Sequence, residues 1–127
     1  MSEIQYIPGS CNIGKREIQR RQFVGVAGLF LSISTFVTLS SIEASIISSL
    51  VVFFPLMMTF TGFVQSRSKF CLAYGFAGTF NIGKLGEISK VASPEDRAAD
   101  RKTALLILGK SILLAAIATG AVLVLLF

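Results

Sequence analysis

The chain has 127 residues, of which 53% are hydrophobic and only 15% are charged, and its formal net charge is +5. A soluble domain of this length could not hide so much apolar surface, because small domains bury only about two thirds of what their unfolded chains expose. With eleven Phe, three Pro and two Cys, the composition also excludes disorder, collagen and a disulfide scaffold, and it indicates an integral membrane protein.

Three segments are predicted to cross a membrane. Residues 23–42 form a run of 20 residues without a charge, or about 30 Å of helix, which matches the hydrocarbon core. Glu43 interrupts, and residues 44–66 are again uncharged. Residues 103–127 form the third segment, broken only by Lys110, whose ammonium can snorkel to the headgroups. The sequence thus predicts an all-α fold, with a tight helical hairpin followed by one long C-terminal helix.

The positions of Lys and Arg predict the orientation of these spans. Eleven of the twelve lie in the leading segment 1–22 or in the loop 67–102, and none lies in the turn around Glu43. Cytoplasmic segments collect Lys and Arg, so we expect both basic segments inside, Phe127 outside, and a multi-pass protein of the inner (plasma) membrane. Contact with anionic lipid accounts for the net charge, and no basic stripe interleaved with aromatic residues indicates nucleic-acid binding.

The basic segments contain two further predicted elements. A juxtamembrane helix is predicted from about Lys15, continuous with the first span. In the loop, Ser93 suits a helix cap and Pro94 the first helical position, so one helix is predicted from Pro94 to Phe127. The earlier part of the loop is predicted to lie in the membrane interface, because its aromatic rings suit headgroup depth. These rings belong to Phe70, Tyr74, Phe76 and Phe80.

Small residues within the spans predict where helices pack, because they let two backbones approach closely. Pro55 additionally predicts a bend in the second span. A single membrane domain with such faces is expected to form a homo-oligomer or to bind a partner membrane protein. The predicted packing residues are Gly25, Gly28 and Ser32 in the first span, Gly62 in the second, and Ala116 and Gly120 in the third.

Few residues can perform chemistry. The chain has no His and no Trp, and no acid lies within a span, which excludes proton relays, haem ligation, His-based metal sites and Ser-His hydrolysis. No cofactor is predicted. Cys11 and Cys71 are the candidate thiols, and Cys11 is expected to lie on a flexible polar stretch. Each has basic neighbours of the kind that activate a thiol: Lys15 and Arg16 for Cys11, and Lys69 and Arg67 for Cys71. Two interpretations remain open: a reactive pair for sulfur or redox chemistry, or two small apolar side chains near the interface.

A short sequence recurs in the two basic segments. Asn12-Ile13-Gly14-Lys15 returns as residues 81–84, and each copy is followed shortly by Glu-Ile. The repeat indicates either a duplicated binding loop or two turns of the common Asn-x-Gly type beside helix starts.

Three motifs together resemble a known family. They are Asn12-x-Gly14-x-x-Glu17-x-x-x-Arg21, then Pro55-Leu56 with Thr61-Gly62, and finally Cys71-x-x-Tyr74-x-x-x-Gly78. Residues 11–80 are in this respect similar to the small bacterial inner-membrane two-helix domain that occurs alone or fused behind a rhodanese sulfurtransferase domain. Leu72 stands where that family has proline, and the third span has no counterpart. The resemblance implies a helical hairpin that pairs with a second copy, with Cys71 at its cytoplasmic end.

The function predicted from the sequence is non-enzymatic: a small scaffold or accessory subunit of a membrane complex. The alternative is a membrane-tethered thiol protein that relays sulfur or redox equivalents through Cys71, with Cys11 as a second thiol. A small-solute transporter is disfavoured, because the spans lack a charged or His group that could couple transport.

Overall fold

A computed structural model describes residues 5–83 and 87–127 of the chain. Lys84, the last residue of the predicted repeat, lies outside the described residues. Helices make up most of the described chain. They are α1 (Lys15–Ser41), α2 (Ile46–Ser49), a 3-10 turn (Leu50–Val52), α3 (Phe53–Ser68), α4 (Leu72–Ala77) and α5 (Pro94–Leu126), with a two-residue ladder between β1 (Thr79–Phe80) and β2 (Ser89–Lys90).

Within the described residues, three helical stretches are long and apolar enough to cross a membrane. They are α1, the stretch Ile46–Ser68, and α5, with mean hydropathies of 1.9, 1.9 and 2.1 over their most apolar windows. The predicted all-α, three-span fold is therefore confirmed, and the protein is a multi-pass membrane protein. Helix α1 begins at Lys15, so the predicted juxtamembrane helix continues into the first span without a break. Helix α5 contains 33 residues, or about 50 Å of helix.

The turn between the first two spans is short. Ile42 ends α1, and the Ser45 hydroxyl caps α2 by accepting a hydrogen bond of 3.2 Å from the Ser48 N–H. The 3-10 turn then leads into α3, where Pro55 lies in the first turn. Proline has no N–H to donate, so it is tolerated there, in the first turn of a helix. The bend predicted for the second span stays a prediction.

Helices α1 and α3 pack at backbone distance along their glycines. A Cβ added to Gly28 would lie 2.7 Å from the Thr59 backbone nitrogen, and one added to Gly62 would lie 2.5 Å from that of Gly25. On the same face, the Ser32 hydroxyl donates to the Gly28 carbonyl at 2.8 Å. The predicted packing residues of the first two spans thus lie in one seam between α1 and α3.

The predicted packing face of α5 is wrong for contacts within the chain. Ala116 and Gly120 are exposed, and a Cβ on Gly120 would meet no atom within 4 Å. The face of α5 that contacts the bundle is rotated by about one residue from the predicted face. The sequence does not distinguish the two faces, because small side chains occur on several sides of α5. The residues buried on it are Asp100, Ala104, Ile107, Ser111, Ala115 and Thr119.

Two apolar cores hold α5 in place, one at each end of the bundle. At the hairpin end, Ala115 packs with residues of the first two spans, namely Leu39, Val52 and Leu56. At the other end, which we call the loop end, Ala104 and Ile107 pack against Phe70, which is completely buried. The aromatic segment is therefore partly inside the fold: Phe70 is core, whereas Phe76 remains 40% exposed.

Backbone hydrogen bonds connect described parts of the loop 67–102 near the start of α5. The Val91 N–H donates to the Gly78 carbonyl at 2.9 Å, next to the β1–β2 ladder. The Ser93 hydroxyl then accepts a bond of 3.4 Å from the Asp96 N–H, and Pro94 occupies the first helical position. These contacts set α4 against the first turns of α5.

Candidate functional site

The two copies of the Asn-Ile-Gly repeat pair with each other at the loop end. Ile13 and Asn81 form a parallel bridge, in which the Asn81 N–H donates to the Asn12 carbonyl at 2.9 Å. The Gly14 N–H donates in turn to the Asn81 carbonyl at 2.8 Å. A Cβ on Gly14 would overlap the Ile82 carbonyl, so this close approach requires glycine. Within the fold, the repeat is therefore a pair of loops that bind each other.

The side chain of Asn12 fastens these loops to the start of α4. Its Oδ1 accepts a bond of 2.6 Å from the Cys71 N–H, and its Nδ2 donates to the Cys71 carbonyl at 3.1 Å. The Asn12 backbone N–H also donates to the Lys69 carbonyl at 3.1 Å. Asn12 is completely buried, so these bonds replace all contact with water. The segment before α1 is thereby joined to a loop 59 residues away in the sequence.

A buried ion pair lies beside this junction. Glu17, in the first turn of α1, is completely buried, and its carboxylate lies 3.1 Å from Arg21 Nη2 and 3.7 Å from Arg20 Nη1. The Arg21 side chain is only 17% exposed, whereas that of Arg20 is 59% exposed. Arg21 Nη2 also donates to Cys71 Sγ at 3.0 Å. Arg21 therefore connects the carboxylate of α1 with the thiol at the start of α4.

Tyr74 and Asn81 complete the site. Burial raises the pKa of the Tyr74 phenol and the negative charge of Glu17 raises it further, while Arg21 and the nearby Asn81 amide lower it. Among the described residues, no group forms a hydrogen bond of good geometry with the Asn81 side-chain amide or with the Glu17 carboxylate oxygens. This holds although Arg21 and Arg20 lie only 3.1 and 3.7 Å from that carboxylate. We call the following six residues the polar cluster: Asn12, Glu17, Arg21, Cys71, Tyr74 and Asn81.

The polar cluster gathers residues of two motifs that are far apart in the sequence. Except for Asn81, all of its members belong to the motifs on which the family resemblance rests. Sequence reasoning expects Lys69 and Arg67 to be the cations beside Cys71. The structure instead places Arg21 there, and the positive charge of Lys69 acts on Cys11. The signal for Arg21 is present in the sequence, since it stands four residues after Glu17 on the same helix face.

Both thiols are buried. Cys71 is 1% exposed and Cys11 is 5% exposed, and neither forms a disulfide. The expectation that Cys11 lies on a flexible polar stretch is wrong, because its thiol is enclosed and donates to the Ile13 carbonyl at 3.5 Å. Burial raises the pKa of the Cys11 thiol, and the Ile13 bond and Lys69 offset this only in part. In this conformation neither sulfur is presented to a reagent in solution.

The residues before the repeat form a strap across α5. The Tyr6 hydroxyl and the Gly9 N–H each donate to the Asp100 carboxylate at 2.6 Å. The Thr103 hydroxyl donates to the Gly9 carbonyl at 2.6 Å, and the Tyr6 ring stacks on Phe80 with centroids 4.4 Å apart. Burial and the neighbouring Asp100 raise the pKa of Tyr6. The sequence does not predict the strap, because its partners are more than 90 residues apart.

Chemically, the polar cluster is a buried ion pair with a thiol beside it, held in place by hydrogen bonds to the backbone. Within residues 5–83 and 87–127, no three His, Cys, Asp or Glu side chains lie close enough together to hold a metal ion. The chain matches no protein-family model, no curated protein and no solved structure, so a functional assignment depends on its own residues.

Proposed function

We propose that this protein is a non-enzymatic scaffold or accessory subunit of a complex in the inner (plasma) membrane. It associates through α5 with a second copy of itself or with a partner membrane protein. The burial of the polar cluster supports a structural role, because its hydrogen bonds join the segment before α1 to α4. The resemblance of residues 11–80 to a two-helix domain that pairs with its own copy favours a second copy as the partner.

An open apolar groove on α5 is the observation on which the proposal depends. It has a volume of about 510 Å³ and lies between Ala116 and Gly120 on one side and Leu50, Phe53 and Phe54 on the other. Small residues four positions apart on a transmembrane helix allow a second helix to approach closely. Ala116 and Gly120, which do not pack within the chain, are thus available for contact with another helix.

Ala116→Leu is expected to weaken this association by about 5- to 150-fold, because a large side chain on a close helix contact costs on the order of 1–3 kcal/mol. Ala121→Leu is the matched control, since Ala121 is also exposed on α5 but does not line the groove. The measurement is the oligomer size in mild detergent by light scattering, together with crosslinking in native membranes. Equal effects of the two variants would contradict the groove as an interface.

For the orientation, we propose that the N-terminus and the loop 67–102 are cytoplasmic and that the end of α5 lies outside. The start of α1, the end of α3 and the start of α5 meet at the loop end, where eleven of the twelve Lys and Arg of the sequence belong to the flanking segments. A reporter that is active only outside the cytoplasm should accordingly be active when it is fused after Phe127, and one that is active only in the cytoplasm should not. Activity only inside would contradict this topology.

A second function is favoured by the 3.0 Å contact between Arg21 and Cys71. Reactive thiols characteristically lie beside cationic side chains, and Arg21 is such a neighbour of Cys71. Against this role stands the 1% exposure of Cys71, because a relay must meet its partner.

Labelling by a neutral maleimide distinguishes the two functions. In native membranes near pH 7, Cys71 in the Cys11→Ser variant should react at least about tenfold more slowly than an exposed reference thiol, because the reagent needs local opening to reach it. Ser10→Cys in a background without the native cysteines provides that reference, since Ser10 is exposed. Labelling of Cys71 as fast as the reference would support the thiol relay and count against the scaffold.

A further inference from the structure

A cleft of about 350 Å³ lies between α4 and the first turns of α5. Residues 75–78 form one wall, and Pro94, Arg97 and Arg101 lie on the other. Among the described residues, no acidic side chain lines it, and both arginines are exposed. The cleft is therefore an open, positively charged site that is separate from the polar cluster and from the α5 groove.

Both guanidinium groups are available to a ligand. Within the described part of the chain, neither arginine forms an ion pair; the pairs present there both involve Glu17. The aliphatic stem of Arg97 is held against α4, because a Cβ on Gly78 would lie only 2.9 Å from Arg97 Cδ. This contact fixes the stem, and it leaves the charged group at the cleft.

The acids of the same helix turns are occupied elsewhere. Asp100 binds the Tyr6 hydroxyl and the Gly9 N–H, and the charge of Asp96 acts on Tyr6 from the same side of α5. Glu95 accepts a bond of 3.0 Å from the Ser93 hydroxyl. Residues 96 and 100 are turned by about 100° from residues 97 and 101, since each helical residue rotates by that angle. The strap thus binds Asp100 on one face of α5, whereas Arg97 and Arg101 on the neighbouring face line the cleft.

The cleft also lies at the right depth for a lipid headgroup. Arg101 stands just before the apolar stretch of α5, whose first buried apolar residues are Ala104 and Ile107. Phe76, in the opposite wall, is 40% exposed, and an aromatic ring at this position suits the boundary between headgroups and acyl chains. A ligand in the cleft would have its polar end in water and its apolar end beside α5.

We infer that the cleft binds the phosphate group of an anionic phospholipid through Arg97 and Arg101. Arginine matches phosphate in geometry as well as in charge, because its fork of N–H donors can contact two oxygens at once. Two arginines one turn apart on α5 can hold one phosphate from two sides, and the acyl chains then extend along Phe76 into the bilayer.

Native mass spectrometry of the full chain in detergent tests this inference with dioleoylphosphatidylglycerol as the probe. Arg97→Gln/Arg101→Gln should bind this lipid at least about tenfold more weakly than the unmodified protein. The matched control Arg16→Gln/Lys102→Gln also removes two positive charges, but from exposed positions outside the cleft, and it should bind the lipid normally. Arg97→Lys/Arg101→Lys, which keeps the charge without the fork, should bind between these limits.

Two comparison ligands identify the source of the phosphate. Dioleoylphosphatidylcholine should not compete, because its headgroup is zwitterionic, and inorganic phosphate at millimolar concentration should not displace the lipid. Equal loss of binding in the two charge-removing variants would overturn the inference in favour of a general surface charge. Displacement by inorganic phosphate would overturn the lipid as the source. Melting temperatures without lipid should agree among all variants, which shows that the fold is intact.

Discussion

Gly62→Ala is expected to lower the free energy of unfolding by about 1–3 kcal/mol, although it adds only one methyl group. The new Cβ would lie 2.5 Å from the Gly25 nitrogen and 2.8 Å from the Arg21 carbonyl oxygen. Both are backbone atoms of α1, so no side chain can rotate away, and the two helices must separate. Gly62→Leu should have a larger effect than Gly62→Ala, and Gly28→Leu should act in the same way through Thr59.

Gly109→Ala, outside the α5 groove, is the matched control for this prediction. It makes the same change in an apolar helix, but its Cβ would meet nothing within 4 Å, and alanine favours helix more than glycine does. We therefore expect the stability of the monomer to stay the same or to rise slightly. Thermal unfolding in detergent, followed by circular dichroism, measures both variants. If Gly62→Ala and Gly109→Ala melt at the same temperature, the close contact between α1 and α3 does not stabilise the protein.

The spans could be predicted because hydropathy acts locally. A run of 20 uncharged residues is sufficient to indicate a helix across the bilayer, whatever it packs against. The seam between α1 and α3 could also be predicted, since Gly25, Gly28 and Ser32 follow one face of the first span and Gly62 is the one glycine of the second. On α5 the same reasoning selected Ala116 and Gly120 although Ala115 and Thr119 face the bundle. Neighbouring small residues point in directions 100° apart, and only the tertiary contacts decide between them.

The polar cluster could be predicted only in part. Its members were visible as motifs, but their meeting depends on contacts between distant segments, such as Asn12 with Cys71. Sequence proximity suggested Lys69 as the neighbour of Cys71, because residues two apart seem close. The left-handed conformation of Lys69, with φ of 54°, ends α3 and reverses the chain there. The thiol of Cys71 consequently faces α1, where Arg21 is the cation within reach.

Arg21→Met is expected to destabilise the protein by about 3–5 kcal/mol, the largest effect that we predict for a single substitution. The substitution leaves the Glu17 carboxylate buried without its 3.1 Å partner, and Arg20, at 3.7 Å and mostly exposed, cannot replace it. The matched control is Arg20→Met, which removes an exposed member of the same group and should cost at most about 1 kcal/mol. Thermal unfolding in detergent compares the two.

The double variant Glu17→Gln/Arg21→Met separates the ion pair from the general packing of Arg21. If the cost of Arg21→Met comes from an unpaired buried charge, removing that charge should restore much of the stability, because replacing a whole buried pair is far less harmful than breaking it. Arg21→Met should also speed the maleimide labelling of Cys71, because a destabilised fold opens more often and opening limits the access of the reagent to this buried thiol. Equal melting temperatures of Arg21→Met and Arg20→Met would instead show that Glu17 reaches water or another partner. The polar cluster would then not be the element that fastens α4 to α1.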